Sequence, residues 1–262
     1  MTVSNCFIVE ADGFDVHHNQ AMEEFLLRRL GAGECGLYLW RNARAVVCGR
    51  NQDVRRECRV EEILADGGKV AKRLSGGGAV YHDLGNLNFS FFADARVYDV
   101  SRQLGVVVKA LARFGIVAEK TGRNDLAVEG RKFSGNAFLK QGERRLHHGT
   151  IMLEVDSTAL AKYLTPTPVK LAKNGVASVV SRTVNLKSVA PKITVDELAV
   201  ELKRVYADEY GARARAPFEA VERTEIAKFE RRFASDEWLF AAPGESSDDG
   251  IEEVFTEEWR QA

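Results

Sequence analysis

The sequence has 262 residues, of which 45% are hydrophobic and 29% charged, with 22 glycines and 5 prolines. A chain of that size and balance buries a substantial core, which excludes collagen-like, disulfide-scaffold and wholly disordered classes. Lys and Arg number 37 against 38 Asp and Glu, a formal charge of -1, so no bulk attraction to nucleic acid or to an anionic membrane is expected and any basic site must be local.

Cys6, Cys35, Cys48 and Cys58 show no C-x-x-C spacing and read as small hydrophobes in a reducing compartment, which gives a cytoplasmic expectation. Glu10, Asp12 and Asp15 stand where a signal peptide needs a basic start, and the apolar run from Gly105 to Ala112 is short and broken by Lys109, so no membrane segment is expected.

From His18 to Leu30, Met22, Phe25, Leu26 and Leu30 recur at helical spacing, with Glu23, Glu24, Arg28 and Arg29 on other faces, which predicts an amphipathic first helix. Leu37 to Arg41 and Ala45 to Cys48 read as a strand pair around a turn at Asn42, and Val54 to Asp66 as a helix closed by Gly67 and Gly68. Extended segments carry Val70, Leu74, Val80, Leu87, Phe89 and Phe91. Val100 to Phe114 predicts a second long helix ended by Gly115, and strands fill Ile116 to Val155.

Thr194 with Glu197 three residues on is a capping box, opening a helix lined by Leu198, Leu202, Val205 and Tyr206. Thr224, Ile226, Phe229 and Phe233 mark another short helix. Strand runs and helices without regular alternation predict an α+β fold, a sheet packed on one face by helices. No internal repeat is evident. Residues 1–243 read as one domain, and the polar, acidic run from Gly244 to Gly250 opens a C-terminal tail, 244–262.

Four segments carry chemistry. In the run Arg73 to Asp83, Gly76, Gly77 and Gly78 let successive backbone N–H groups approach a phosphate or carboxylate, with Lys72 and Arg73 as a basic flank. No Gly-Lys-Ser/Thr follows and the glycines lead into a strand, so this is not a P-loop, and a plain hairpin turn is the bland alternative. In the run from Gly130, alternation puts Lys132, Ser134 and Asn136 on one face and Phe133 and Ala137 on the other, a polar face that suits an anion or an ordinary solvated strand.

His147 and His148 are adjacent on a strand and point to opposite faces, which argues against zinc and leaves one of them as a hydrogen-bond donor in a site or as a structural histidine. Thr165 to Val176, with two prolines and Lys170 and Lys173, reads as a long connection able to close over an anionic ligand, or as an exposed loop.

In this order these segments resemble the lipoate-protein ligase family of the biotin and lipoate ligase superfamily. The matching pieces are N-Q-A-M-E-E-F-L-L from Asn19, L-Y-L-W-R-N from Leu37, V-V-C-G-R-N-Q from Val46 and R-L-S-G-G-G-A-V-Y-H-D-L-G-N from Arg73. They continue with G-R-N-D-L from Gly122, K-F-S-G-N-A-F from Lys132, H-H-G-T from His147, K-L-A-K-N-G-V-A-S-V-V-S-R from Lys170 and E-W-L-F from Glu237.

The resemblance implies a mixed β-sheet catalytic domain with flanking helices. It also implies coupling of lipoate to ATP, giving lipoyl-adenylate and pyrophosphate, then transfer to a lysine of a lipoyl-domain protein such as the 2-oxoacid dehydrogenase E2 or the glycine-cleavage H protein. By carry-over, Lys132 contacts the lipoyl carbonyl and the α-phosphate. The nucleotide falls to Arg73, Gly76, Gly77, Gly78, Ala79, Val80, Tyr81, Asn86 and Asp125, with Lys170 and Lys173 covering the adenylate. Trp40, Ser75 and His148 line the lipoyl pocket, and Asn124 with Asp125 hold Mg2+.

Leu74 stands where some members have a second serine. Many members continue into a small accessory domain beyond the segment that Glu237 to Phe240 resembles, which gives the expectation of a separate accessory protein. One alternative is a lipoyl or octanoyl transferase acting without ATP through a cysteine, but no cysteine follows Cys58. Another is a non-catalytic lipoate-binding module. A biotin ligase is disfavoured because its G-R-G-R-x-G loop is missing.

Overall fold

The computed structural model describes residues 5–121, 124–165 and 183–242, and the backbone of 251–253. Lys170, Lys173, Gly122 and Arg123 lie outside the described residues, as do the tail positions Val254, Phe255 and Trp259. The strands of the larger sheet are β1 (Asn5–Glu10), β2 (Glu34–Trp40), β6 (Asn86–Asp94), β7 (Glu119–Thr121), β8 (Asp125–Val128), β9 (Arg131–Gln141), β10 (Arg144–Met152) and β11 (Arg213–Ala214). They are ordered β11-β1-β2-β6-β10-β9-β8-β7. β1 runs parallel to β2 and β11, and the other pairs are antiparallel, so the sheet is mixed as expected. Residues 251–253 pair antiparallel with the end of β9 at Leu139 to Gln141.

Both faces of this sheet are covered, which corrects the expectation of one. Leu37, Leu39, Phe89 and Phe91 pack with α4 (Val100–Ala112) and α6 (Val195–Tyr210). Tyr38, Trp40 and Phe92 turn the other way, against α1 (Val16–Arg29) and α7 (Ala220–Phe233). All of β6 is buried, because its polar residues Asn88 and Ser90 face an interior network rather than water. The helix ends follow the sequence: α6 opens on the Thr194–Glu197 capping box, and Gly115 after α4 adopts φ 74°. The short helix expected around Thr224 is the longer α7.

A second sheet, ordered β4 (Lys69–Lys72), β3 (Ala45–Cys48), β5 (Val80–His82), stands beside the first. β2 and β3 are therefore not partners. Between them Asn42 is fully buried and hydrogen-bonded to Asn19 and His82, so the expected turn is an interior corner joining two sheets. The helix expected over Val54 to Asp66 is broken into α2 (Val54–Glu57) and α3 (Val60–Ala65), because Cys58 takes an extended conformation and bridges to Leu164. α5 (Ser157–Tyr163) closes this region, with Tyr163 packed on Tyr81.

Cys6 and Cys35 correct the reading of four plain thiols. They sit opposite each other across β1 and β2, Cα atoms 4.7 Å apart, joined as a disulfide. Spacing along the chain could not show a pairing created by strand register. No helix among the described residues is long and apolar enough to cross a membrane.

Candidate functional site

The glycine-rich loop joins β4 to β5 and is wound around one side chain. Arg73 donates from Nη2 to the carbonyls of Gly76, at 2.5 Å, and Gly78, at 3.0 Å, from Nη1 to Val47, and from Nε to Ser75 Oγ at 3.1 Å. Arg50 N–H to Ser75 O and Arg73 N–H to Cys48 O, each 2.9 Å, tie the loop to the end of β3. Gly77 takes φ 93°, a conformation that favours glycine, and its exposed backbone is the part of the loop open to a ligand.

Gly49 is the tightest point, since a Cβ there would lie 2.0 Å from the Gly77 carbonyl oxygen. Gly49→Ala should therefore push the loop off β3 and destabilise the protein by about 1–3 kcal/mol. A thermal midpoint equal to wild type would contradict this close approach.

Lys132 reaches its position through a bulge. β8 pairs Leu126 with Ser134 but Ala127 with Lys132, so Phe133 is an extra residue in β9 and turns into the core. The slip reverses the face expected for Lys132, which leaves Ser134 and Asn136 and joins Asp125 and Gly135. Its Nζ lies 2.6 Å from Asp125 Oδ1 and 3.0 Å from where a Gly135 Cβ would be. The Lys132 side chain is 39% exposed, while the Lys132 carbonyl accepts from Val184 N–H at 2.8 Å.

Behind it on the same side of the sheet runs a buried polar chain. Trp40 Nε1 donates to Ser90 Oγ at 3.0 Å, and Ser90 donates to Glu23 Oε1 at 2.5 Å. The same oxygen meets His148 Nδ1 at 2.7 Å, and His148 Nε2 meets Ser75 Oγ at 2.6 Å. A carboxylate can only accept, so His148 carries its proton on Nδ1 and, when neutral, accepts the Ser75 hydroxyl at Nε2. Arg73, Ser75, His148, Glu23, Ser90 and Trp40 thus form one chain linking the glycine loop to an aromatic pocket wall.

The family profile described as the lipoyl protein ligase A/B catalytic domain matches residues 15–207. The chain belongs to that family. LipL1 of P. falciparum, solved in complex with lipoate, is 30% identical over 93% of this chain and 76% of that chain, with TM-score 0.75. The bi-partite lipoate protein ligase of Thermoplasma acidophilum is 24% identical, covering 92% of this chain and 97% of that chain, TM-score 0.78. A lipoate-protein ligase A bound with ATP is 23% identical, covering 92% of this chain and 99% of that chain, TM-score 0.76. The last two likenesses speak for the fold.

In this lipoyl ligase catalytic domain the structure brings Trp40, Arg73, Ser75 and His148 into one hydrogen-bonded chain, and Lys132 onto Asp125. Asn86 is buried in β6, where its Nδ2 donates to Asn88 Oδ1 at 2.9 Å. Asn124 donates its side-chain amide to the Asn136 carbonyl and accepts from Asn136 at its own backbone carbonyl, contacts that do not engage its Oδ1, the atom a cation would use. Among the described residues no group of three or more His, Cys, Asp or Glu could hold a metal, so a Mg2+ here would rest on Asn124, Asp125 and phosphate oxygens. Trp238, in the expected closing segment, donates from Nε1 to Lys72 O at 2.8 Å, and buried Lys72 donates to Ala241 O at 2.8 Å. Burial holds the Lys72 ammonium below its usual pKa.

Sequence reasoning missed Glu23 and Ser90. The helical spacing sets Glu23 off the apolar stripe, yet it and Glu24 are buried, Glu24 between Arg28 and Arg232. The available signal was Met22 and Leu26 flanking Glu23 on the apolar stripe.

His147 points the opposite way from His148, between Gln103 Oε1 at 2.9 Å and Asn136 Oδ1 at 3.0 Å. Burial pushes its pKa down to about 3, and burial with the charges of Arg73 and His148 does the same for His82. Both folded values lie below the unfolded value near 6.5. Each histidine therefore contributes stability that is complete above about pH 6.5 and is lost as pH falls toward 3, at up to about 1.4 kcal/mol per pH unit. Urea unfolding between neutral and mildly acid pH measures this, and a flat profile would contradict the neutral state of both rings.

Proposed function

We propose that this chain is an ATP-dependent lipoate-protein ligase, activating lipoate to lipoyl-adenylate and passing the lipoyl group to a lysine of a lipoyl-domain or H-protein acceptor. The observation that carries the reading is Lys132: a partly exposed ammonium, steadied by Asp125, on the sheet side that also presents Trp40 and His148. The lipoate in the LipL1 structure and the ATP in the ligase A structure support the two substrates.

Activation brings a carboxylate against the α-phosphate, and two anions repel. A fixed ammonium offsets that repulsion and stabilises the charge of the transition state. In transfer the same charge polarises the acyl carbonyl while the acceptor amine attacks and AMP leaves. The backbone around Gly77, Gly78, Ala79 and Val80 holds the phosphates, and Tyr81 packs behind the loop. Mg2+, carried by the triphosphate, Asn124 and Asp125, would neutralise the leaving pyrophosphate. Lys170 and Lys173 complete the reading as cover over the adenylate, and the cytoplasmic expectation loses its basis in four reduced cysteines because Cys6 and Cys35 are joined.

A separate accessory protein for the adenylation step remains part of the proposal, supported by the bi-partite T. acidophilum system. The test is lipoate-dependent pyrophosphate release from ATP, with and without a small companion protein from the same genome. Release in either arm supports a ligase, and its absence in both, with ATP-independent acyl exchange between carrier proteins, would establish the transferase.

A thiol route finds little support in the geometry. Cys48 and Cys58 are both buried in the cluster beneath β3; the hydrogen bond between them together with burial pushes the Cys48 thiol up, and the same hydrogen bond holds Cys58 below its usual value. Replacing both by alanine should cost stability but leave acyl transfer within about threefold of wild type, because both sulfurs are buried and a nucleophile must reach the acyl group. Isolation of an acyl-cysteine on either residue would overturn that expectation.

A further inference from the structure

Lys72 ends β4, is 1% exposed, and has no part in the chemistry proposed above. Burying an ammonium is costly unless a hydrogen bond meets it, and an apolar side chain would pack there at lower cost. The acceptor it meets is the Ala241 carbonyl, at 2.8 Å. Its own carbonyl accepts from Trp238 Nε1, also at 2.8 Å, so one residue is held twice by a single distant segment. That segment is α8 (Asp236–Leu239) with Phe240 and Ala241 behind it. Leu239 and Phe240 pack on the cluster that contains Val46, Cys48 and Val70, and the Arg55 guanidinium covers the Phe240 ring at 3.8 Å. The Arg50 guanidinium lies 5.8 Å from the Trp238 ring, and the Arg50 N–H is the one that holds Ser75 O in the glycine loop.

What the segment fastens is the start of that loop. Arg73 follows Lys72 directly: its N–H donates to Cys48 O, and its guanidinium is the centre about which Gly76 and Gly78 turn. The two side chains go to different partners, Lys72 to Ala241 and Arg73 to the loop carbonyls. Lys72 therefore acts on the loop through the backbone it shares with Arg73, with no need to touch a ligand. Groups that recognise a ligand must be held to within about 0.5 Å of their working place, so a fixed loop start matters to binding.

We infer that Lys72 is a positioning residue for nucleotide binding: with Trp238 it fastens the segment Asp236 to Ala241 to the strand end that launches Arg73, and so sets the glycine loop where its backbone meets a phosphate. The inference rests on the function proposed above, which gives that loop to the nucleotide. Lipoate alone does not use the loop backbone, so the effect of Lys72 is confined to ligands that carry the nucleotide.

The test uses the full chain and two probes, lipoate and a non-hydrolysable sulfamoyl analogue of lipoyl-adenylate, with binding followed by calorimetry. Lys72→Met keeps an unbranched stem and removes the charge. It should weaken the analogue about 10-fold, the effect of one hydrogen bond to a charged group lost from the loop, and leave lipoate within about twofold of wild type. Lys72→Arg should restore most of the affinity, because a guanidinium can donate to the same carbonyl. Trp238→Phe, which removes the Nε1–H and keeps an aromatic ring, should act in the same direction, and it decides should Lys72→Met fail to fold. Analogue binding as tight as wild type in either folded variant would overturn the inference while leaving the ligase reading standing. A loss shared equally by both probes would overturn it too, since a lysine that only supports the fold would weaken both. A wild-type chain that binds the analogue no more tightly than lipoate lacks a nucleotide site and overturns both the inference and the ligase reading.

Discussion

Lys132→Ala should lower both lipoyl-adenylate formation and transfer from preformed adenylate by about 100- to 1,000-fold, the usual effect of removing one charge-stabilising group from a reacting centre. The fold should survive. The Lys132–Asp125 pair is partly exposed, and pairs of that kind contribute about 0–1 kcal/mol, so the thermal midpoint should stay close to wild type. Lys132→Arg should not rescue, because a planar guanidinium cannot occupy the point position that a single ammonium takes between Asp125 and Gly135. Near wild-type transfer from synthetic adenylate by the alanine variant would remove Lys132 from the mechanism.

Glu23→Ala is expected to be the most destabilising single change at the site. It strips the acceptor from both His148 Nδ1–H and Ser90 O–H and opens a cavity beneath Trp40. Each buried donor left unmet costs about 1–3 kcal/mol, so a total of about 2–5 kcal/mol follows once the cavity is included. Glu23→Gln should lose less, since an amide oxygen can still accept one of the two donors. Urea unfolding of the pair against wild type reads the effect. Equal midpoints for all three would show that the buried chain adds nothing to stability.

The parts of this structure that were legible in the sequence are those governed by local chemistry. The capping box at Thr194, the glycine stop after α4 and the opposite facing of His147 and His148 all follow from rules that span a few residues. The illegible parts depend on register and on tertiary partners. One extra residue at Phe133 moved Lys132 to the other face of its strand, and nothing in K-F-S-G-N-A announces that slip.

The burial of Glu23 is not legible in its helix because its partners, Ser90 and His148, lie on two strands distant in sequence. Asn42 looked like a turn because the sheet change it allows requires the pairing of β3 with β4 and β5. The Cys6–Cys35 bridge likewise exists through the alignment of β1 with β2. The resemblance placed Trp40, Ser75, Lys132 and His148 in one site, but only the geometry showed that a carboxylate and a serine join three of them.

The most direct measurement is intact mass spectrometry of a lipoyl-domain acceptor incubated with the purified full chain and synthetic lipoyl-adenylate. This isolates transfer from any need for a partner in activation. The account predicts that the acceptor gains one lipoyl group on a lysine, that the gain is lost with Lys132→Ala, and that the chain carries no acyl group on Cys48 or Cys58. An acceptor left unmodified by the folded wild-type chain, or an acyl thioester on the chain that precedes transfer, would contradict it.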